Sequence, residues 1–191
     1  MGTGTAIWLL NLARELPSAQ LDGLDINLAQ APPKQGLPRN VKLRTWNALD
    51  DVPSELVGQY DLVHVRLLVL AVDNSDPRPM LRNLIKMLKP GGYLQLDELD
   101  FPGTHVITVD ESLQTPALED LRRTMYSQGR QDWAFQLPEI SSVKGLQDAK
   151  LYHYGDRIEL LRANCEQHLL VMDEFASRLA KINKKEEASK L

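Results

Sequence analysis

Apolar residues in the first third of the chain recur at two different periods. Leu9, Leu12, Ala13 and Leu16 follow i, i+3, i+4 and i+7, which predicts an amphipathic helix from Ile7 to Leu16, stopped by Pro17. Gln20 to Ile26 then reads as a strand ending in Leu24-Asp25-Ile26, followed by a connection carrying Pro32, Pro33 and Pro38. Val41 to Thr45 alternates apolar and polar residues, the pattern of a half-buried strand near a sheet edge. Tyr60 to Leu68 gives a further strand and its exit. Pro79 opens a second helix with Leu81, Leu84, Ile85 and Leu88 on one stripe, and Lys89-Pro90-Gly91-Gly92 closes it before a buried strand that ends in Asp97, Glu98 and Asp100.

Beyond Phe101 the pattern is mostly helical. Thr115-Pro116 starts a helix with Leu118, Leu121 and Met125 on one face, and Leu137-Pro138 starts a shorter one with Ile140 and Val143. Ala149 to Tyr154 reads as a strand. From Arg157 a long helix places Ile158, Leu161, Cys165, His168, Met172, Phe175 and Leu179 on steps of three and four, a seam that docks on the sheet or joins a second copy of the chain. Lys181 to Lys190 is a mixed-charge tail.

The first helix is preceded by Gly2-Thr3-Gly4-Thr5-Ala6. Two glycines one residue apart allow a tight turn and a close backbone approach to a ligand, at which the helix aims its first N–H groups. A dinucleotide fold wants a third glycine where this chain has Ile7, so the loop argues against hydride transfer. Asp25 lies 19 positions beyond Ala6, close to the ~20-residue offset at which a nucleotide fold places the acid that accepts ribose hydroxyls. The other strand exits carry His64 and Arg66, and exits of an open α/β sheet line its ligand crevice. The same two residues also suit a core histidine and a structural partner for Glu98. Asp97, Glu98 and Asp100 near His105 raise the question of a hard cation, but consecutive strand residues point to opposite faces, so no metal site is assigned.

Composition narrows the class of partner. A chain of 191 residues with 43% hydrophobic content builds one core, hence a single domain over 1–191. With 22 basic against 26 acidic residues it offers no general attraction to nucleic acid or to an anionic membrane, and a small-molecule partner fits better. The lone Cys165 can form no internal disulfide, which points to a cytoplasmic or nuclear setting.

Gly2-Thr3-Gly4-Thr5-Ala6 resembles the G-T-G-T-G loop of class I S-adenosylmethionine-dependent methyltransferases, with Ala6 in place of the last glycine. The run Leu88 to Leu94, L-K-P-G-G-Y-L, resembles the helix-to-strand turn before that family's fifth strand, and Asp61-x-x-His64-x-Arg66 is similar to a segment of its fungal secondary-metabolism branch and of that branch's regulator-like relatives. The resemblance implies a Rossmann-like sheet with helices on both faces, a cofactor-binding half over 1–101 and a substrate-facing half over 102–191. It implies S-adenosyl-L-methionine held by Gly2, Thr3, Gly4, Asp25, Ile26, Asn47, Ala48, His64 and Arg66, with the Asn47-Ala48 pair at the adenine, and with Asp97 and Glu98 on the substrate side. Methyl transfer to an oxygen or nitrogen of a small molecule is the activity it implies, with a catalytically inactive regulator or truncated pseudoenzyme as the competing reading; no catalytic base is identified. The family has an apolar strand just ahead of the glycine loop and a last antiparallel strand, so the resemblance leads one to expect a sheet lacking its first strand and an open question at its last, in a monomer or a homodimer formed through the C-terminal helix.

Overall fold

Two pairs of parallel strands organise the first half of the chain. The computed structural model describes residues 1–68, 72, 76–100, 102–126, 132–142, 145–155 and 157–181. Phe101, Val143, the side chains of Met125 and Leu179, and the tail from 182 onward lie outside the described residues. The chain forms two units: Met1–Leu99 with Glu139–Gln147, and Asp100–Pro138 with Asp148–Leu191.

In the first unit, helix α1 (Ile7–Glu15) buries Leu9 and Ala13 against Val41, and Trp8, Leu21, Leu37 and Leu43 pack around them. Leu16 falls outside the helix and is exposed, contrary to the predicted stripe, because the residue before Pro17 is pushed out of helical geometry (φ −122°, ψ 67°). Strand β1 (Leu21–Asp25) pairs in parallel with β2 (Val41–Thr45), Leu21 opposite Val41 and Asp25 opposite Thr45. The crossover contains a short 3-10 turn, Lys34–Gly36, and Asn40 ties its end to the turn after α1 by donating to the carbonyls of Leu16 (3.2 Å) and Ala19 (3.0 Å).

Strand β3 (Tyr60–Arg66) leads through helix α2 (Arg78–Met87) to its parallel partner β4 (Leu88–Asp97). The α2 stripe is Met80, Leu81, Leu84 and Met87; Leu81, Leu84 and Val65 of β3 are fully buried. Gly91, at φ +80°, turns the chain inside the register shift between Tyr60 and Leu62, and a Cβ on Gly92 would press on the carbonyls of Tyr60 and Lys89 at 3.0 Å. Lys-Pro-Gly-Gly therefore sets the register of β4 as well as ending α2. Contrary to the prediction, β4 is not a buried strand: Tyr93 is 75% exposed, and only β3 pairs with β4 among the described residues.

The fold is Rossmann-like α/β, but the expected single sheet is divided into β1–β2 and β3–β4 among the described residues. The link between them is short. Thr3 N–H donates to the Leu24 carbonyl (3.2 Å), the Met1 ammonium to the His64 carbonyl (2.7 Å), and the Tyr60 hydroxyl to Asp22 Oδ2 (2.7 Å). Tyr60 and Asp22 stand near the starts of β3 and β1, and His64 and Leu24 near their ends. All four strands thus run the same way, and their exits lie at one end. Burial and the Asp22 hydrogen bond both push the Tyr60 hydroxyl far above its usual range.

The second unit contains α3 (Pro116–Tyr126), the first residues of α4 (Leu137–Ser142) and α5 (Leu161–Lys181). Its buried residues include Leu121, Trp133, Leu137 and Met172. The strand predicted over 149–154 is absent: Leu151, Tyr152 and Tyr154 are exposed and meet no ladder. The last helix starts later than predicted, after a 3-10 turn at Ile158–Leu160, and its seam buries Met172 while Ile158 and Cys165 stay exposed. No helix among the described residues is long and apolar enough to cross a membrane.

Asn83 of α2 is buried, and its amide donates to the carbonyls of Ala48 and Asp50, both at 2.8 Å, fastening α2 to the exit of β2. At about 0.5–1.5 kcal/mol net per hydrogen bond, Asn83→Ala is expected to lower stability by about 1–3 kcal/mol. Urea unfolding followed by far-UV circular dichroism checks this; an unchanged midpoint would mean the loop stands without the amide.

Candidate functional site

The glycine loop alternates through left-handed backbone. Gly2 (φ +64°), Gly4 (φ +50°) and Ala6 (φ +60°) all lie in the region that favours glycine, and Ala6 holds it at a cost of about 1–2 kcal/mol because its Cβ crowds the following carbonyl. The Ala6 N–H closes the turn on the Thr3 carbonyl (2.8 Å), and Leu10 N–H starts the helix on the Ala6 carbonyl (2.9 Å). A Cβ at Gly4 would meet nothing within 4 Å, so the loop's open side adjoins free space.

Asp25 closes the site from the exit of β1. Its Oδ2 accepts the Gly4 N–H at 2.8 Å and its Oδ1 accepts the Asn27 N–H at 3.0 Å, so one carboxylate fixes both the glycine loop and the turn after the strand. Each oxygen keeps a second lone pair for a ligand hydroxyl. Ile26, next to it, is 67% exposed and offers an apolar surface. Gly23 was not singled out by the sequence reading, yet the loop depends on it: a Cβ there would stand 2.5 Å from Leu43 and 2.7 Å from Thr3 Oγ1. Its signal was available, because a glycine inside a strand pattern marks a close backbone approach.

At the exit of β2, Asn47 folds back on its own turn: Oδ1 accepts the Leu49 N–H (3.1 Å) and Nδ2 lies 3.4 Å from Asp50 Oδ1. Ala48 is buried under Asn83. Trp46 is a packing residue, buried with its indole N–H donating to the Asp51 carbonyl (3.2 Å).

At the exits of β3 and β4, His64 Nε2 and Asp97 Oδ2 are 2.8 Å apart, and the His64 side chain is only 9% exposed. The Trp8 indole stacks on its imidazole with centroids 4.0 Å apart and planes 27° from parallel. Burial would raise the Asp97 carboxyl, but hydrogen bonds from His64 and Gln95 outweigh it and hold the group below its usual range, with the charges of His64 and Arg66 adding to the effect. Arg66 itself is exposed. Glu98 follows the end of β4 and is engaged elsewhere, its Oε1 accepting the Leu68 N–H at 2.9 Å. Between them Leu67 sits at φ +56°, a strained residue at a strand exit.

The structure thus bonds Gly4 to Asp25 and Thr3 to the neighbouring Leu24, with Gly2 in the same loop, and pairs His64 with Asp97. It leaves Asn47 and Ala48 bonded to their own turn and to α2. The sequence reading also passed over Trp8, which looks like an ordinary helix residue until β3 brings His64 beneath it. A loop with free space beside it, an acid facing it and an apolar residue next to the acid suit a nucleoside bearing vicinal hydroxyls.

Residues 1–94 match the family described as methyltransferase domain. The chain is 43% identical over 126 residues to methyltransferase grgD of Penicillium sp, covering 58% of this chain and 44% of that protein. It is 37% identical over 98 residues to N-methyltransferase verN of Clonostachys rogersoniana, covering 50% and 34%. To the secondary metabolism regulator laeA of Coprinopsis cinerea it is 33% identical over 104 residues, covering 53% and 24%. The chain therefore spans less than half the length of each of these relatives.

Because Asp97 is held below its ordinary value of 3.8, its ionised form stabilises the fold. That contribution is complete above 3.8 and is lost as pH falls through the lower folded value. Asp97→Asn is expected to flatten the decline of the urea midpoint between about pH 5 and about pH 2. Parallel parent and variant curves would show that the His64 contact carries no such linkage.

Proposed function

We propose that this chain, whose residues 1–94 match the methyltransferase domain family, holds S-adenosyl-L-methionine at its glycine loop and transfers the methyl group to an oxygen or nitrogen of a small molecule of secondary metabolism. The observation that supports the reading most is the 2.8 Å bond between Gly4 N–H and Asp25 Oδ2, which brings the loop against the strand-exit acid. The fungal relatives named methyltransferase and N-methyltransferase support the acceptor class.

The cofactor supplies a methyl group on a positively charged sulfur. The residues that fit it are Gly2, Thr3 and Gly4, with open space beside Gly4; Asp25, with lone pairs left for ribose hydroxyls; Ile26, as an apolar support; and Asn47 with Ala48, at the neighbouring exit for the adenine edge. In this reading His64 and Arg66 line the β3 side and Asp97 stands on the acceptor side, while Glu98 is engaged by the Leu68 N–H. The chain's work is orientation: aligning acceptor, methyl carbon and leaving sulfur can remove roughly 7–11 kcal/mol of barrier at best.

Asp25→Ala is expected to weaken binding of S-adenosylhomocysteine by about 1.5–3 kcal/mol, the value of hydrogen bonds to a charged group. Asp25→Asn should lose less, since its amide oxygen can still accept the Gly4 N–H. Titration calorimetry decides; equal affinity in parent and alanine variant would remove Asp25 from the site, and preference of the parent for NAD would remove the reading.

Turnover is tested separately with methyl-labelled cofactor and a panel of small amines, phenols and carboxylic acids. Label is expected in a small molecule. A parent that binds the cofactor but labels none of them, while co-purifying with a protein partner, would favour a regulatory role.

A further inference from the structure

The loop proposed to hold the cofactor runs into the first turn of α1, and that turn carries Trp8, a residue to which the proposed function gives no role. Its indole lies on the imidazole of His64, 4.0 Å between centroids and 27° from parallel. His64 is nearly buried and fixed from the other side by Asp97 at 2.8 Å, and its backbone carbonyl accepts the Met1 ammonium at 2.7 Å. One column, Trp8 to His64 to Asp97, therefore connects the start of α1 with the ends of β3 and β4. Few other bonds hold the loop. Thr3 N–H reaches Leu24 and Gly4 N–H reaches Asp25, both on the β1 side. On the β3 side the loop is fixed by the Met1 contact and by this stack.

We propose that Trp8 is a positioning residue for the cofactor: by stacking on His64 it holds the glycine loop in register with the exits of β3 and β4. This rests on the functional reading above. An aromatic plane is what the arrangement uses, because offset ring stacking adds a directional preference that an aliphatic side chain of similar bulk does not have. Trp8 also packs against the Leu9, Ala13 and Val41 cluster, so bulk alone has a structural use at this position. The two roles separate by substitution. Trp8→Leu keeps an apolar side chain but removes the ring, and Trp8→Phe keeps a ring.

The test is S-adenosylhomocysteine affinity by calorimetry for the full chain and for Trp8→Leu, Trp8→Phe, His64→Leu and the Trp8→Leu/His64→Leu double variant, each first shown folded by circular dichroism and urea midpoint. Trp8→Leu is expected to bind at least about tenfold more weakly and Trp8→Phe within about threefold of the parent, since the ring contact survives. The two leucine substitutions are expected to be non-additive, the double variant being little worse than Trp8→Leu alone. Parent-like affinity in Trp8→Leu, equal losses in the leucine and phenylalanine variants, or additive losses would each overturn the inference. If Trp8→Leu does not fold, the comparison of Trp8→Phe with His64→Leu decides: a phenylalanine variant as weak as the histidine variant overturns it, and one close to the parent supports it. A folded parent that binds no S-adenosylhomocysteine would overturn the functional reading and this inference with it, whereas a binding parent with an equally tight Trp8→Leu overturns the inference alone.

Discussion

The absence of a Cβ at position 23 is the constraint on which the first unit rests. Leu43 of the neighbouring strand, Thr3 of the loop and Leu9 of the helix all converge within 3.0 Å of where that atom would stand. Strand, loop and helix can approach this closely only because glycine leaves the space empty. That approach lets the Asp25 carboxylate reach the Gly4 N–H, and it sets Trp8 over His64 on the opposite side of the loop. Position 23 thus governs the joining of loop, strand and helix without contributing a side chain of its own.

Much of this was legible in the chain, and the reasons are local. The α1 and α2 stripes and the β1, β2 and β3 runs are period signals that neighbouring structure reinforces. Gly2, Gly4 and Asp25 were readable because their spacing encodes a turn and a strand exit. The residues misread were those whose state depends on distant partners. Leu16 is expelled by the proline after it, and the exposure of Tyr93 in β4 depends on what packs over the strand's faces rather than on what the strand contains. Residues 149–154 have the alternation of a strand but no neighbouring ladder. Trp8 and Gly23 were missed because their contacts arise only when residues 14 to 56 positions away in the chain are brought against them.

The electrostatics show a division of labour among acids that look alike in sequence. Asp25 bonds backbone N–H groups, Asp97 is engaged by a histidine and a glutamine amide, and Glu98 takes the N–H of Leu68. Asp97 closes β4 and Glu98 follows it, so the adjoining acids meet different partners, and among the described residues no three of the acids, histidines or Cys165 converge as metal ligands would. Each carboxylate is thereby tied to one joint of the scaffold.

The division of the strands into two pairs has a thermodynamic consequence. The seam between β1 and β3 is crossed by few bonds, and Met1 and Thr3 supply two of them from the very segment that leads into the glycine loop. A molecule seated on that loop therefore acts as a clamp across a fault line. Whatever binds only the closed arrangement shifts the folding equilibrium by RT ln(1 + [L]/Kd), about 2.7 kcal/mol at a hundredfold excess over Kd. For a domain whose whole stability is of the order of 5–15 kcal/mol, such occupancy rivals a sizeable part of its core. In a cell, the supply of the small molecule would then set how much folded protein survives proteolysis, making metabolite concentration a control on abundance as well as on rate.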